Sequence, residues 1–188
     1  MKEIESKAWI FESDKKRVLD FLHNSEEITI LNNGEKIIKK DVMYTKIGKN
    51  IVEFRLREEL GKYWVTKKIR NYTKLETEVN SEIEFEVTSE IEFHTFVKML
   101  GYTEMYTKEK MIHQFQYTKN TVKILIEYVK MSGLSQKGDL LEIEILCNDN
   151  ATIKEIAEAE KNILDIFKIL ELENQIEPAP YGKLLGQF

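Results

Sequence analysis

A single cysteine, Cys147, leaves this chain without an internal disulfide framework or a cysteine-based zinc cluster, and it fits a reducing compartment. Only two prolines occur, Pro178 and Pro180, so nothing earlier breaks the chain at a linker. The eight glycines form no Gly-rich phosphate loop, which argues against P-loop or Rossmann chemistry. The histidines His23, His94 and His113 are not at ligand spacing, so a histidine–metal centre is not expected. No apolar run approaches a membrane span, and the start Met1-Lys2-Glu3-Ile4-Glu5 is too acidic for a signal peptide. Basic residues are outnumbered 28 to 33, a net charge of −5, so nucleic-acid binding through a globally basic surface is not expected. The chain reads as a soluble, cytoplasmic protein with neither nucleic acid nor membrane as partner.

What is present suffices for a packed core. Of 188 residues, 42% are apolar and 32% charged, too hydrophobic for disorder and of a size for one domain over residues 1–188 or two fused halves. Three helices are predicted. Ser13 caps a run holding Val18, Leu19, Phe21 and Leu22; Ser89-Glu90-Ile91-Glu92 opens a second, stopped by Gly101; Thr152-Ile153-Lys154-Glu155 opens a third through Ile166 and Leu170. Period-two alternation predicts strands near 3–10, 51–58, 62–69, 82–88, 105–117, 122–129 and 140–146. Asn33-Gly34 and Lys119-Asn120 read as turns. The strand–helix echo of Glu3-Ile4-Glu5, Glu82-Ile83-Glu84 and Glu142-Ile143-Glu144 suggests two pseudo-equivalent halves.

Parity sorts the charges onto faces. Glu3, Glu5 and Lys7 oppose Ile4, Ala8 and Ile10; Glu53, Arg55 and Arg57 oppose Val52, Phe54 and Leu56. Glu82, Glu84 and Glu86 share a face, as do Lys123 with Glu127 and Glu142 with Glu144. One strand at a time, these are ordinary half-buried strands with charges in water. Together with amphipathic helices that also need cover, they fit an α+β fold: a closed antiparallel β-barrel of about eight strands, its lumen polar and charged, its helices packed outside. Buried charges of both signs need partners, and a polyanion with a divalent metal supplies them: Lys and Arg take phosphate oxygens, carboxylates hold a hard cation. His113 has outward parity, and Trp9, Trp64 and Cys147 read as core.

The same residues resemble the CYTH superfamily, which unites class IV adenylyl cyclases with thiamine triphosphatases and related triphosphatases. Its E-x-E-x-K signature is similar to Glu3-Ile4-Glu5-Ser6-Lys7, its R-x-R strand to Arg55-Leu56-Arg57, and its L-T-x-K strand to Val65-Thr66-Lys67-Lys68. Glu82-Ile83-Glu84, Ile126-Glu127-Tyr128-Val129, Gly138 to Glu144 and Pro180 to Leu185 match four further motifs in order. The resemblance implies a triphosphate tunnel with metal ligands at Glu3, Glu5, Glu127, Glu142 and Glu144, holding Mg²⁺ or Mn²⁺. It implies triphosphate contacts from Lys7, Arg55, Arg57, Lys68, Lys108 and Lys110, with catalytic roles at Lys7 and Glu127. Glu82 and Glu84 are expected to orient basic residues, and Lys67 replaces Lys68 if the register slips by one. Departures from the pattern are Asn80 in place of an arginine, no arginine at 108–114, and Asp41-Val42-Met43-Tyr44-Thr45 in place of D-x-Y-x-D. The expected function is metal-dependent hydrolysis of inorganic tripolyphosphate, thiamine triphosphate or a nucleoside triphosphate. A class IV-like cyclase and a non-catalytic triphosphate or polyphosphate binder are the alternatives, and a homodimer is compatible with the broad strand faces.

Overall fold

Wherever polar and apolar residues alternate along this chain, a strand forms, because only the pleated backbone sends successive side chains to opposite faces. The computed structural model describes residues 1–72, 77–134 and 137–187, and the side chains of all but 71 and 72 of these. In chain order the elements are β1 (Lys2–Ile10), α1 (Lys15–Asn24), β2 (Ile28–Ile30), β3 (Ile37–Lys46), β4 (Phe54–Glu59), β5 (Lys62–Tyr72), β6 (Glu78–Val87), α2 (Glu90–Met99), β7 (Tyr102–Lys119), β8 (Val122–Met131), β9 (Asp139–Cys147), α3 (Ile153–Ile169) and α4 (Tyr181–Leu184).

The strands pair antiparallel in the order β7-β3-β4-β5-β6-β1-β9-β8, and β8 returns to β7 to close an eight-stranded barrel. The short β2 lies outside this ring, on the β7 edge that β3 has left. The expected closed barrel is therefore the observed one. The three Glu-Ile-Glu strands, far apart in sequence, are neighbours as β6-β1-β9. Their echo marks one wall of the barrel.

Helices cover the outer face. Ile4, Ala8 and Ile10 of β1, Ile124 and Ile126 of β8 and Ile143 of β9 pack against Val18 and Leu22 of α1 and Ile163, Ile166 and Phe167 of α3. These side chains are almost completely buried, each except Ala8 stabilising by about 1.5–3 kcal/mol. A smaller cluster of Tyr44, Leu56 and Val65 receives Val97 and Phe93 of α2. Ser89 accepts the Glu92 amide at 3.2 Å, and Thr152 and Glu155 complete a reciprocal cap on α3. The first helix starts differently from expectation. It is flanked by Asp14, not Ser13, and the Asp14 carboxylate turns back to accept the Phe11 amide at 3.1 Å and the Arg17 guanidinium at 2.9 Å.

A third apolar group lies on inward-facing positions. Ile37, Ile112, Val129 and Leu140 meet Leu134 from the β8–β9 connection, and Tyr181, Leu184 and Leu185 of the C-terminal segment pack on them. Gly138 lets β9 begin hard against β1: its φ is +146°, and a Cβ there would lie 2.9 Å from the Ile10 carbonyl oxygen.

Candidate functional site

The lumen holds a cavity of about 600 Å³. On one side stand β3, β4 and β7, which contribute Lys39, Arg55, Arg57, Lys108 and Lys110 to its lining, with Asp41 of β3 paired to Arg57. Register puts Asp41 opposite Arg57 on β4 and Lys108 on β7, so one carboxylate serves both neighbours. Arg57 donates to it as a fork, Nε to Oδ1 at 2.7 Å and Nη2 to Oδ2 at 2.9 Å. Lys108 Nζ lies 3.2 Å away and Arg55 Nη1 3.9 Å. These cations hold the Asp41 carboxyl well below its usual range although its burial acts the other way. Asp41 is nevertheless one anion among several cations. Arg55 Nε is buried without a hydrogen-bond partner among the described residues. Burial, reinforced by Lys110, Arg55 and Arg57, brings the Lys108 ammonium down to about 7 in spite of Asp41.

On the other side stand β6, β1 and β9. Glu3 and Glu5 of β1 face Glu144 of β9, and Lys68 from β5 reaches in to pair with Glu82 at 2.7 Å, with Glu5 at 3.4 Å and with Glu3. Asn80, fully buried, donates to Glu5 at 3.0 Å. Burial and the charges of Glu3 and Glu5 raise the Glu144 carboxyl to about 9. Glu78 is raised as well, by burial and by Glu5.

Between the two sides run cross-lumen pairs. Lys39 donates to Glu127 at 2.7 Å, as does Gln114, and Lys110 donates to Glu142 at 2.6 Å. Glu142 is held low by Lys110 against the effect of burial. Tyr181 of α4 lays its ring over the basic group, with Lys110 Nζ 4.0 Å, Lys108 Nζ 4.7 Å and Lys7 Nζ 5.5 Å from the centroid.

The cavity thus brings together Glu3, Glu5, Arg55, Arg57, Lys68, Lys108, Lys110, Glu127, Glu142 and Glu144. Lys7 also points inward, but into an adjoining space of about 40 Å³ beside Arg70, Glu78 and Glu177, with Pro180 and Tyr181 in its wall. Glu82 joins the group at Lys68, whereas Glu84 is exposed and accepts the Thr66 hydroxyl at 2.6 Å. No register slip occurs: Lys68 faces the lumen, and Lys67 pairs at the rim with Glu53 at 2.9 Å. Lys39 was missed, Asp41 was noticed only as part of a departing pattern, and Tyr181 only within a motif. The signal for β3 lay in the alternation Ile37, Lys39, Asp41, Met43, masked because Ile38 and Lys40 repeat the same residue types on the other face.

The oxygen donors gathered on β1 and β9 suit a hard divalent cation, and the raised Glu144 carboxyl reflects a crowding of like charge that such an ion would relieve. Among the described residues, however, no group of three or more His, Cys, Asp or Glu side chains stands ready to hold an ion. The Lys68 ammonium lies in the middle of the strongest candidate group.

A closed barrel with opposed acidic and basic walls around an inner cavity defines the class of fold. Solved structures narrow it. No family model and no curated protein matches the sequence. The PH1819 protein of Pyrococcus horikoshii OT3 superposes with a TM-score of 0.71 at 22% identity over 98% of both chains. A candidate adenylate cyclase from Vibrio parahaemolyticus superposes with a TM-score of 0.72 at 15% identity, over 98% of this chain and 97% of its own. A candidate adenylyl cyclase from Hippeastrum, described as having a dominant triphosphatase activity, gives 0.61 at 12% identity over 99% and 95%. The chain shares the closed-barrel fold of these proteins.

Proposed function

We propose that this protein binds a triphosphate-containing compound in the barrel lumen and hydrolyses it with the help of a divalent cation. The observation that carries the reading is the Arg55 guanidinium, whose buried Nε has no hydrogen-bond partner among the described residues and which shares the carboxylate of Asp41 with Arg57 and Lys108, leaving more positive charge there than Asp41 balances. A buried cation surplus of this kind is costly unless an anion completes it. The Hippeastrum neighbour, described as having a dominant triphosphatase activity, supports the same reading.

In this reading Arg55, Arg57, Lys108 and Lys110 take the phosphoryl oxygens and stabilise the negative charge that builds up during transfer. Asp41 fixes the Arg57 fork, and Glu127 fixes Lys39. Glu127 stays ionised because Lys39 outweighs its burial, so it orients Lys39 more readily than it accepts a proton. Lys7 supports Tyr181 from below, and Tyr181 in turn sets the spacing of the lysine ammonium groups. Glu3, Glu5, Glu142 and Glu144 would hold Mg²⁺ or Mn²⁺, which supplies phosphoryl polarisation and an activated water when bound. Water attacks a terminal phosphorus, and diphosphate or its organic ester leaves.

The test is phosphate release from tripolyphosphate by purified protein with Mg²⁺, compared with Glu142→Gln. Equal release by both proteins would refute the reading. Ligand-induced thermal stabilisation without turnover would make it a binder instead.

A second reading, cyclisation of ATP, is favoured by the apolar part of the cavity near its rim, where Met43, Val52, Phe54 and Tyr106 offer surface for an organic group. Product identification separates the two: cyclic AMP with diphosphate, or ADP with phosphate.

A further inference from the structure

Lys68 occupies an unusual place. It leaves β5 opposite Glu82 of β6 and crosses to β1, where its ammonium meets both Glu5 oxygens at 3.4 Å and pairs with Glu3. Glu82 Oε1 lies 2.7 Å from the same nitrogen. The four side chains are only 10 to 27% exposed, so water contributes little to their balance. Hard carboxylate oxygens such as those arriving from β1 are the donor set a divalent cation uses, and here a monovalent ammonium stands among them. An ammonium and a divalent ion cannot share those oxygens in a poorly hydrated interior, because their mutual repulsion is strong there.

The other neighbour of Lys68 is Arg55, near enough to act on it electrostatically. Arg55 carries the buried Nε that has no partner among the described residues, and it lines the same cavity. An anion drawn to Arg55 therefore sits within the field of Lys68 too. The lysine stem has four rotatable carbons and an ammonium without fixed direction, which lets the charge swing between two sites while the strand stays in place.

We propose that Lys68 is a built-in counter-ion: in the free protein its ammonium, held beside Glu82, occupies the carboxylates of Glu3 and Glu5, and a polyphosphate bound at Arg55 draws it off, freeing Glu3 and Glu5 for the divalent cation. Metal and polyphosphate then bind cooperatively, each strengthening the other by the same factor. The inference rests on the proposed function of the lumen and adds to it an order of events. It also accounts for the lack, among the described residues, of any carboxylate group standing ready for an ion in the free protein.

The experiment uses Mn²⁺ alone, followed through the electron paramagnetic resonance signal of the free ion. Without polyphosphate, Lys68→Met is expected to bind Mn²⁺ at least tenfold more tightly than the wild type. Adding Glu5→Gln to that variant should abolish most of the gain. Lys68→Gln, which keeps a polar side chain at that position, provides a second chain should the methionine variant fail to fold by circular dichroism. A folded variant with wild-type Mn²⁺ affinity, or a gain that survives Glu5→Gln, overturns the inference. Metal-free calorimetry with tripolyphosphate on the wild type keeps the two levels apart. If the wild type binds tripolyphosphate and the Lys68 variants gain nothing for Mn²⁺, the counter-ion role falls and the proposed function stands. If the wild type does not bind tripolyphosphate, the proposed function falls and the coupling falls with it.

Discussion

The two walls of the lumen fail to balance their charges in opposite ways. On β3, β4 and β7, Asp41 is the one carboxylate among the described residues within 4 Å of Arg55, Arg57 and Lys108. On β6, β1 and β9, Lys68 is one ammonium among Glu3, Glu5 and Glu82, with Glu144 beside them. Either wall alone would be more stable with its surplus replaced by apolar side chains, since unpaired buried charge costs more than it contributes. The difference between the walls teaches where function overrides stability: a surplus of each sign, facing the other across a cavity, suits a ligand that carries both.

The comparison breaks most visibly at Asp41. Asp41→Asn leaves three buried cations without their anion and should destabilise the fold by about 3–5 kcal/mol, read as a lower urea midpoint with an unchanged slope. The two arginines of β4 should then part company. Arg57→Ala, which removes the fork on Asp41, is expected to lower stability. Arg55→Ala should leave the midpoint nearly unchanged and weaken tripolyphosphate binding by about 10- to 100-fold, the worth of a hydrogen bond to a charged group. Equal stability losses for both would dissolve the distinction between a structural and a ligand-directed arginine.

A smaller effect concerns pH. Lys108 titrates at about 7 in the folded chain and at about 10.5 unfolded, so between those values the unfolded chain binds more protons. Stability from this site accordingly rises with pH across that window, and the penalty of the buried ammonium is complete below pH 7. Compared with Lys108→Met, the wild type should gain stability from pH 7 towards 10.5 and run parallel to it below. Metal-free tripolyphosphate should also bind with proton uptake near pH 8, measured by calorimetry in buffers of different ionisation enthalpy. The smallest change lies outside both walls: Thr152→Ala removes the α3 cap for about 1 kcal/mol and should leave phosphate release untouched.

Much of this arrangement can be read from the letters, for a simple reason. In β1, β4 and β9 the pairs Glu3 and Glu5, Arg55 and Arg57, and Glu142 and Glu144 each stand two residues apart, so parity puts each pair on one side, and closure makes that side the inside. The same rule places Lys7 inward correctly. It does not tell that Tyr181 and Pro180 border the small space that holds it, because that depends on a segment more than 170 residues away. β3 escaped because Ile37-Ile38-Lys39-Lys40 puts the same residue types on both faces, and with it went Lys39. The pairing of Lys68 with Glu3 and Glu5 was equally hidden, since it runs across β6 between strands that are not neighbours. Periodicity reports faces; it is silent on which ion lies beside which.

The position of β1 between β6 and β9 has a consequence for how the protein comes into being. β1 must wait for β9, which follows every other strand among the described residues, before its second edge is satisfied. Until residues of β9 have left the ribosome, Glu3 and Glu5 have no Glu144 opposite and the ring has an open seam. A nascent chain stalled before residue 139 holds β3, β4 and β7 and two of the three strands of the acidic wall, but its ring stays open between β1 and β8.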